Sequence, residues 1–390
     1  MKIQMVATCL FGLEKLLGEE IDALGCQRIE TMDGRITFEG EERDLVAANL
    51  RLRFAERVYL LVGRFEARTF DELYEGTKSL AWEKWIGKDD AFPVKGHAIR
   101  SVLFSVPDCQ SIVKKAVVDR LSSAYGLRWF SEEGVKYQIE FFLFKDVASL
   151  MIDTSGIPLH KRGYRTQAGE APLRETLAAA VAKIARPRED VLLWDPFCGS
   201  GTIAIEAAMM MTGRAPGLLR RFAAEEFSWI DSDLWAKERE RAESEIIEDS
   251  KFEVYASDID PEVLSVAREN AKRAGVDKHI RFFVKNALHI KKEDRRGTVV
   301  CNPPYGERLL TPAEVRKLYV EMGKTFSALS PWQIYILTSS EELEHLYGKR
   351  ADKTRKLYNG MIPCYLYQFF KPNDARKTFE KPWKNKSQKH

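Results

Sequence analysis

Residues 191–202 read Val-Leu-Leu-Trp-Asp-Pro-Phe-Cys-Gly-Ser-Gly-Thr. An apolar run ends on Asp195, turns through Gly199 and Gly201, and gives way to helical spacing over 202–211. Glycines let a backbone approach a ligand closely, and the helix that follows offers unpaired N–H groups and the positive end of its dipole. Working outward from this turn, the same strand–helix alternation recurs. Strands are expected at 191–195, 252–257, 280–284, 298–301 and 333–338, with helices at 202–211, 261–274 and 312–329 between them. Such alternation predicts an α/β fold: a Rossmann-like, doubly wound, mostly parallel sheet with its ligand site at the carboxyl ends of the strands. Strand-like runs at 356–358 and 364–370 would add an antiparallel edge.

The amino-terminal part has a different rhythm. Strands at 3–7, 35–39 and 55–64 with helices at 12–24 and 44–52 predict a small α+β unit over 1–65. A helix at 70–86 carrying Trp82 and Trp85, a strand at 98–106, a helix at 108–125 and a hairpin at 137–144 and 147–153 predict a second unit over 66–155. Both tryptophans are expected in its core. A Gly-, Pro- and Arg/Lys-rich linker is expected at 156–171, a catalytic domain at 172–371 and a polar, Lys-rich tail at 372–390. Residues 225–249 hold ten acidic side chains against three basic ones, which predicts a solvated helical insertion.

A chain of 390 residues exceeds one ordinary core and calls for two or three domains. No apolar run approaches the roughly 18 residues of a membrane span. No signal-peptide pattern opens the sequence, so no membrane partner is expected and the location expected is the cytoplasm. Cys9, Cys26, Cys109, Cys198, Cys301 and Cys364 lie far apart, with no C-x-x-C pair. Reduced thiols are therefore expected, with no metal site. A net charge of +3 does not by itself point to a polyanion.

The glycine turn admits two cofactors. Gly199 to Ala204 fits the dinucleotide pattern G-x-G-x-x-G/A, which keeps an NAD(P)-dependent oxidoreductase in play. Two features favour S-adenosylmethionine (SAM) instead. Asp195, four residues before the first glycine, would repel a pyrophosphate but suits the cationic methionine end of SAM. The acid that a dinucleotide fold places about 20 residues on is displaced to Asp258, where a carboxylate can accept both ribose hydroxyls. Asp260, just before Pro261, has the placement of a helix cap. Asn286, after the third strand, offers a donor and an acceptor to an adenine edge.

Asn302-Pro303-Pro304-Tyr305 is the most informative stretch. A buried strand runs into two prolines, which stop the sheet and stiffen the turn. The lone pair of an exocyclic amino group on a purine is delocalised, so the nitrogen is a poor nucleophile. The Asn302 side-chain oxygen and a rigid carbonyl near Pro303 can accept its two hydrogens, while Tyr305 stacks on the base. Positioning then does most of the work, without metal or strong base. Methylation at pyrimidine C5 needs a cysteine nucleophile, and Cys301 lies before the turn, on the strand.

With these motifs, the chain resembles the THUMP-containing class I SAM-dependent RNA methyltransferases, specifically the bacterial guanine-N2 group of the RlmL N-terminal/YpsC type. Further runs carry the resemblance: Leu159 to Arg165, Ala171 to Thr176 and Lys356 to Gly360. The resemblance implies a ferredoxin-like region, then a THUMP RNA-binding module, then a Rossmann-like methyltransferase. It implies SAM held around Asp195, Pro196, Phe197, Cys198, Gly199, Ser200, Gly201, Asp258, Asn286 and Ala287. The acceptor base would lie at Asn302, Pro303, Pro304 and Tyr305. Many relatives of the broader class carry Asp where this chain has Asn286 and Asn302. The implied substrate is a guanine in RNA, with 23S ribosomal RNA favoured and tRNA the alternative. Lys161, Arg162 and Arg165, between the RNA-binding module and the catalytic domain, are expected to contact phosphates. Basic clusters at 349–356 and at Arg220 and Arg221 could assist. A rival from a different class is a non-catalytic RNA-binding assembly factor that retains the fold.

Overall fold

A computed structural model describes residues 2–165, 173–305 and 311–370. The chain divides into two compact units: Met1–Arg162 with Ala215–Glu245, and Gly163–Arg214 with Ile246 onward.

In the first unit, β1 (Ile3–Cys9), α1 (Glu14–Ala23), β2 (Gln27–Met32), β3 (Arg35–Gly40), α2 (Glu42–Arg51) and β4 (Ala55–Glu66) are followed by α3 (Phe70–Ser79), β5 (Val94–Ile99), α4 (Val106–Tyr125), β6 (Ile139–Phe144) and β7 (Val147–Asp153). Among the described residues the strands form one seven-stranded sheet in the order β2-β3-β1-β4-β7-β6-β5. Only the β5–β6 pair is parallel. The two small units read in the sequence therefore share a sheet. The 12-residue β4 pairs with β1 through its first half and with β7 through its second.

In this unit the structure differs from the sequence expectation at three elements. Strand β2 was not anticipated, because an edge strand with mostly exposed polar side chains lacks apolar alternation. The strand expected at 98–106 lies at Val94–Ile99, and Arg100 turns the chain with φ +52°. The helix expected over 70–86 ends at Ser79, and a separate 3₁₀ turn holds Trp82–Lys84. Trp82 is fully buried, with its indole N–H donating to the Thr77 carbonyl at 2.8 Å, as a core role requires, whereas Trp85 is half-buried against Trp229.

In the second unit, α5 (Glu175–Ile184), β8 (Leu192–Asp195) and α6 (Thr202–Met211) precede the chain's excursion to the first unit, where α7 (Ser232–Ser244) lies. The chain returns through β9 (Val254–Asp258), α8 (Pro261–Ala274), β10 (Ile280–Val284), β11 (Gly297–Cys301), α9 (Pro312–Ser327), β12 (Gln333–Thr338), α10 (Leu343–Tyr347), β13 (Lys353–Asn359) and β14 (Ile362–Phe369). The described strands run β10-β9-β8-β11-β12-β14-β13. The first five are parallel, and β14 is antiparallel to both β12 and β13. This is the expected doubly wound sheet with an antiparallel edge. The chain leaves β8 toward β9 on one side and later continues with β11 on the other. The carboxyl ends of β8 and β11 thus flank the point where strand order reverses, where open α/β sheets bind ligands.

The acidic insertion is not simply a solvated helix. Residues 215–245 pack with the first unit. Trp235 and Ala242 of α7 are buried, and Trp235 stacks on Phe222 at 5.2 Å. Phe227 stacks on Tyr137 at 4.2 Å, and Arg51 of α2 pairs with both Glu238 and Glu245. The acidic excess meets arginine rather than water alone.

The basic entrance run also needs correction. Arg162 is only 2% exposed, and its guanidinium donates to the carbonyls of Leu159 and Arg53. Arg220, half-buried, donates to the carbonyls of Ser155, Ile157, Pro158 and Lys161. A five-donor guanidinium can close a loop that its own backbone cannot. These two arginines therefore fix residues 155–162 and do not face a phosphate. Lys161 is exposed. Half-buried near Arg162, the Glu20 carboxylate accepts from the backbone N–H groups of Arg53 and Phe54. Burial pushes its pKa up to about 7, against the pull of the Phe54 amide and of Arg53 and Arg162.

Arg162→Ala should destabilise the protein by about 3 kcal/mol, because it strands buried partners of a charge. A carboxyl whose folded pKa lies above its unfolded value withdraws stability as pH rises between the two. The loss in Tm should therefore be larger at pH 8 than at pH 6, where Glu20 is largely protonated. Thermal unfolding at the two pH values measures this; an equal loss at both would contradict it.

Candidate active site

Parallel register places the site. Val299 of β11 pairs with Trp194 of β8, so Asp195 and Asn302 emerge close together at the two strand exits. Asp195 pairs with Ala256 of β9, so Asp258 projects two residues further along. Asp258 in turn pairs with Val284 of β10, and Asn286 lies two residues beyond that.

Asp195 is 1% exposed, and one carboxylate oxygen accepts from the Phe197 N–H at 3.2 Å. Burial pushes its pKa up to about 8; the Phe197 amide works against this and Asp258 adds to it. Pro196 is buried and Phe197 packs on the sheet's core. The turn is stitched by Cys198 N–H to the Ser257 carbonyl at 3.1 Å and Gly201 N–H to the Cys198 carbonyl at 2.8 Å. Gly199 has φ +50° and open space where a Cβ would stand, so its surface is free for a ligand. Gly201 has φ +83°, and a Cβ there would come within 3.2 Å of Ala267. Behind the turn, Asn270 donates to the Ser200 carbonyl at 3.1 Å.

Asp258 ties the turn to the second strand. One oxygen accepts from Gly199 N–H at 2.9 Å, and the other from Asp260 N–H at 3.2 Å. Asp260 caps α8 by accepting from Glu262 N–H at 2.8 Å, as its position before Pro261 implied. The Asn286 side-chain oxygen accepts from Leu288 N–H at 2.8 Å and caps the 3₁₀ turn at Ala287–His289; Ala287 is buried. Its amide N–H groups are what it can offer an adenine edge. These residues fit SAM: the buried Asp195 carboxyl gains from a nearby cation, and the open glycine backbone admits a close ligand.

At the end of β11 the Asn302 side-chain oxygen is buried and has no hydrogen-bond partner among the described residues. Such an acceptor costs about 1–3 kcal/mol until an N–H reaches it. Pro303 is buried, and the Pro304 carbonyl accepts from the Tyr319 hydroxyl at 3.3 Å, which also meets Thr338 Oγ1 at 2.8 Å. Tyr305 is half-buried, and burial pushes the pKa of its hydroxyl up. Cys198 and Cys301 are buried, and burial pushes both thiols well above their ordinary pKa. Neither is a ready thiolate nucleophile.

Arg165 belongs to the support rather than to a phosphate surface. It donates to Thr202 Oγ1 and to the Leu173 carbonyl at 3.3 Å, and pairs with buried Glu175 at 3.4 Å. Its neighbour Tyr164 is buried and donates to Glu206 of α6 at 3.3 Å. Tyr319, Glu206 and Asn270 were not singled out from sequence. Each sits at a helix position whose spacing signals only a buried face, and nothing local reports a hydroxyl or amide turned toward a loop.

Three family models cover most of the chain. An RlmL ferredoxin-like domain matches residues 4–59, a THUMP domain 67–153, and the RMKL-like methyltransferase domain 162–368. YpsC of Bacillus subtilis (strain 168), which carries the name of an RNA methyltransferase, is 43% identical over 97% of this chain and 99% of its own. The ribosomal RNA large subunit methyltransferase K/L of Psychromonas ingrahamii is 35% identical over 92% of this chain, which spans 49% of that protein. The structure of SMU.472, solved with SAH, is 39% identical and superposes with a TM-score of 0.89 over 95% of this chain and 98% of that one.

Because Asp195 is held protonated near neutral pH by burial, SAM should bind more tightly as pH rises toward 8. The gain should reach at most about tenfold per pH unit, with a proton released on binding. Calorimetric titration from pH 6 to 8 in two buffers reads both effects, and Asp195→Asn should flatten the profile. With its glycine turn, its Asn-Pro-Pro-Tyr strand exit and its three matching domains, the chain belongs to the RlmKL/YpsC family of SAM-dependent RNA methyltransferases.

Proposed function

We propose that the protein transfers the methyl group of SAM to the exocyclic N2 of a guanine in large-subunit ribosomal RNA. The observation that carries this reading is the Asn302 side-chain oxygen: buried, without a partner among the described residues, and followed by two prolines at the strand-order reversal. When bound, SAM supplies an electrophilic methyl on a cationic sulfur. The chain's own residues do the rest. Asn302 accepts one amino hydrogen and so aligns the nitrogen lone pair; Pro303 and Pro304 keep that acceptor from moving; Tyr305 stacks on the base that has left its helix. Asp195 and Asp258 orient the donor. The proton displaced from nitrogen after transfer is acidic and needs no strong base. The resemblance to the guanine-N2 group supports guanine over adenine. The ribosomal target follows the K/L relative, whose matching half aligns with nearly all of this chain.

Methyl transfer from labelled SAM to undermethylated ribosomal RNA and tRNA, with nucleoside mass spectrometry, tests the proposal. N2-methylguanosine at one ribosomal site is expected. N6-methyladenosine would overturn the base, and label confined to tRNA would overturn the target. Asn302→Ala should lower kcat by on the order of a hundredfold, since misplacement of the acceptor amine by about 1 Å has that effect. Tyr305→Ala should lose about 5- to 150-fold, the range of a base–aromatic stack.

A further inference from the structure

The two prolines of the strand exit leave one backbone torsion open. A proline ring fixes its own φ at about −65°, which sets φ at Pro303 and Pro304. A residue that precedes a proline is confined to extended ψ, which covers Asn302 and Pro303. Pro304 precedes Tyr305 instead, so its ψ is the first torsion in the run that no ring restricts. That torsion decides where the Pro304 carbonyl points and in which direction Tyr305 leaves the turn.

A chain of hydrogen bonds from the neighbouring strand ends on that carbonyl. At the exit of β12, Ser340 N–H donates to Thr338 Oγ1 at 3.1 Å. Thr338 Oγ1 and the Tyr319 hydroxyl lie 2.8 Å apart, and Tyr319 donates to the Pro304 carbonyl at 3.3 Å. A phenol has one proton to give. With that proton on Pro304, Thr338 is the donor between the two hydroxyls. The chain therefore runs one way, from Ser340 N–H through Thr338 and Tyr319 to Pro304. Tyr367 of β14 donates to the Ser340 carbonyl at 3.1 Å, so the first link is itself anchored. Register brings the ends together: Cys301 pairs with Ile336, and Pro304 and Thr338 lie just beyond that pair on adjacent strand exits. Tyr319 and Thr338 are both fully buried. Tyr319 packs in an apolar cluster with Cys301, Val315, Met322 and Ile336. A phenylalanine would fill that core equally well, so packing alone does not call for the hydroxyl.

We propose that Tyr319 and Thr338 are positioning residues for methyl transfer, which lock the Pro304 carbonyl and so set the direction from which Tyr305 meets the acceptor base. The proposal rests on the reading of Asn302–Tyr305 as the site that holds that base. Neither residue touches substrate. Their effect runs through one backbone torsion after β11, whereas the glycine turn that faces SAM follows β8 and shares no link of the chain. The chemical step should therefore suffer while SAM binding does not.

Steady-state kinetics of the full-length protein on undermethylated ribosomal RNA, with calorimetric Kd for SAM alongside, test this. Tyr319→Phe should lower kcat by about tenfold, a partial displacement beside the roughly hundredfold cost of a 1 Å shift. Its SAM Kd should stay at the wild-type value. Thr338→Val should cost less, because Tyr319 still reaches Pro304, and should add no loss in the Tyr319→Phe background. Thr338→Ser keeps the donor and should restore kcat. An unchanged kcat in Tyr319→Phe would overturn the proposal, as would a SAM Kd that weakens in step with kcat. Equal kcat for Thr338→Ser and Thr338→Val would also overturn it, and that comparison does not depend on how stably Tyr319→Phe folds. Asn302→Ala separates the two levels. Full activity there would remove the reading of the tetrad itself, whereas an inactive Asn302→Ala beside an unimpaired Tyr319→Phe would remove only the roles of Tyr319 and Thr338.

Discussion

The pairing of β8 with β9 on one side and β11 on the other is the constraint from which the catalytic unit follows. Parallel strands pair at fixed offsets, and those offsets place Asp195, Asp258 and Asn286 as successive steps across three strand ends. The same pairing brings Asn302 to the opposite bank of the strand-order reversal. None of these residues needs a long or adaptable side chain, because the sheet does the reaching. A one-residue slip in β11 would turn Asn302 to the other face of the sheet and remove the amine acceptor.

The site also stores unfavourable contacts in two places. Among the described residues, Asp195 is buried without a cation beside it and Asn302 keeps an acceptor without a donor. Both sit at the exits of central strands held by parallel neighbours on each side. Each is relieved by a group that the reaction brings: a positive charge for the carboxyl, an amino hydrogen for the amide. That is the electrostatic form of preorganisation, with the cost met during folding rather than during transfer.

Much of this was legible in the sequence. Strand–helix alternation, Gly199 and Gly201, and the Asn302–Tyr305 run are local patterns with local causes, and they gave the sheet and the site residues that line its reversal point. Asp258 was found because it ends a strand, and Asp260 because it precedes Pro261. The arginines were misread for an equally physical reason. A basic run looks the same whether its guanidinium groups face water or close a loop, and Arg162, Arg165 and Arg220 close loops or brace helices. Residues 225–249 were expected to be a solvated insertion because the partner of their acidic surplus, Arg51, is remote in sequence.

The discontinuity of the first unit has a consequence for its synthesis. Its sheet is complete at Asp153, but Phe222, Phe227, Trp235 and the acidic partners of Arg51 arrive only after β8 and α6 of the other unit have been made. At roughly 5–20 residues per second, the nascent first unit waits several seconds with Tyr137 and Arg51 lacking their partners. During that interval the glycine turn has been made without β9, whose Asp258 accepts from Gly199 N–H. Neither unit can close before the other has begun, and the chain must be born with both halves open at once.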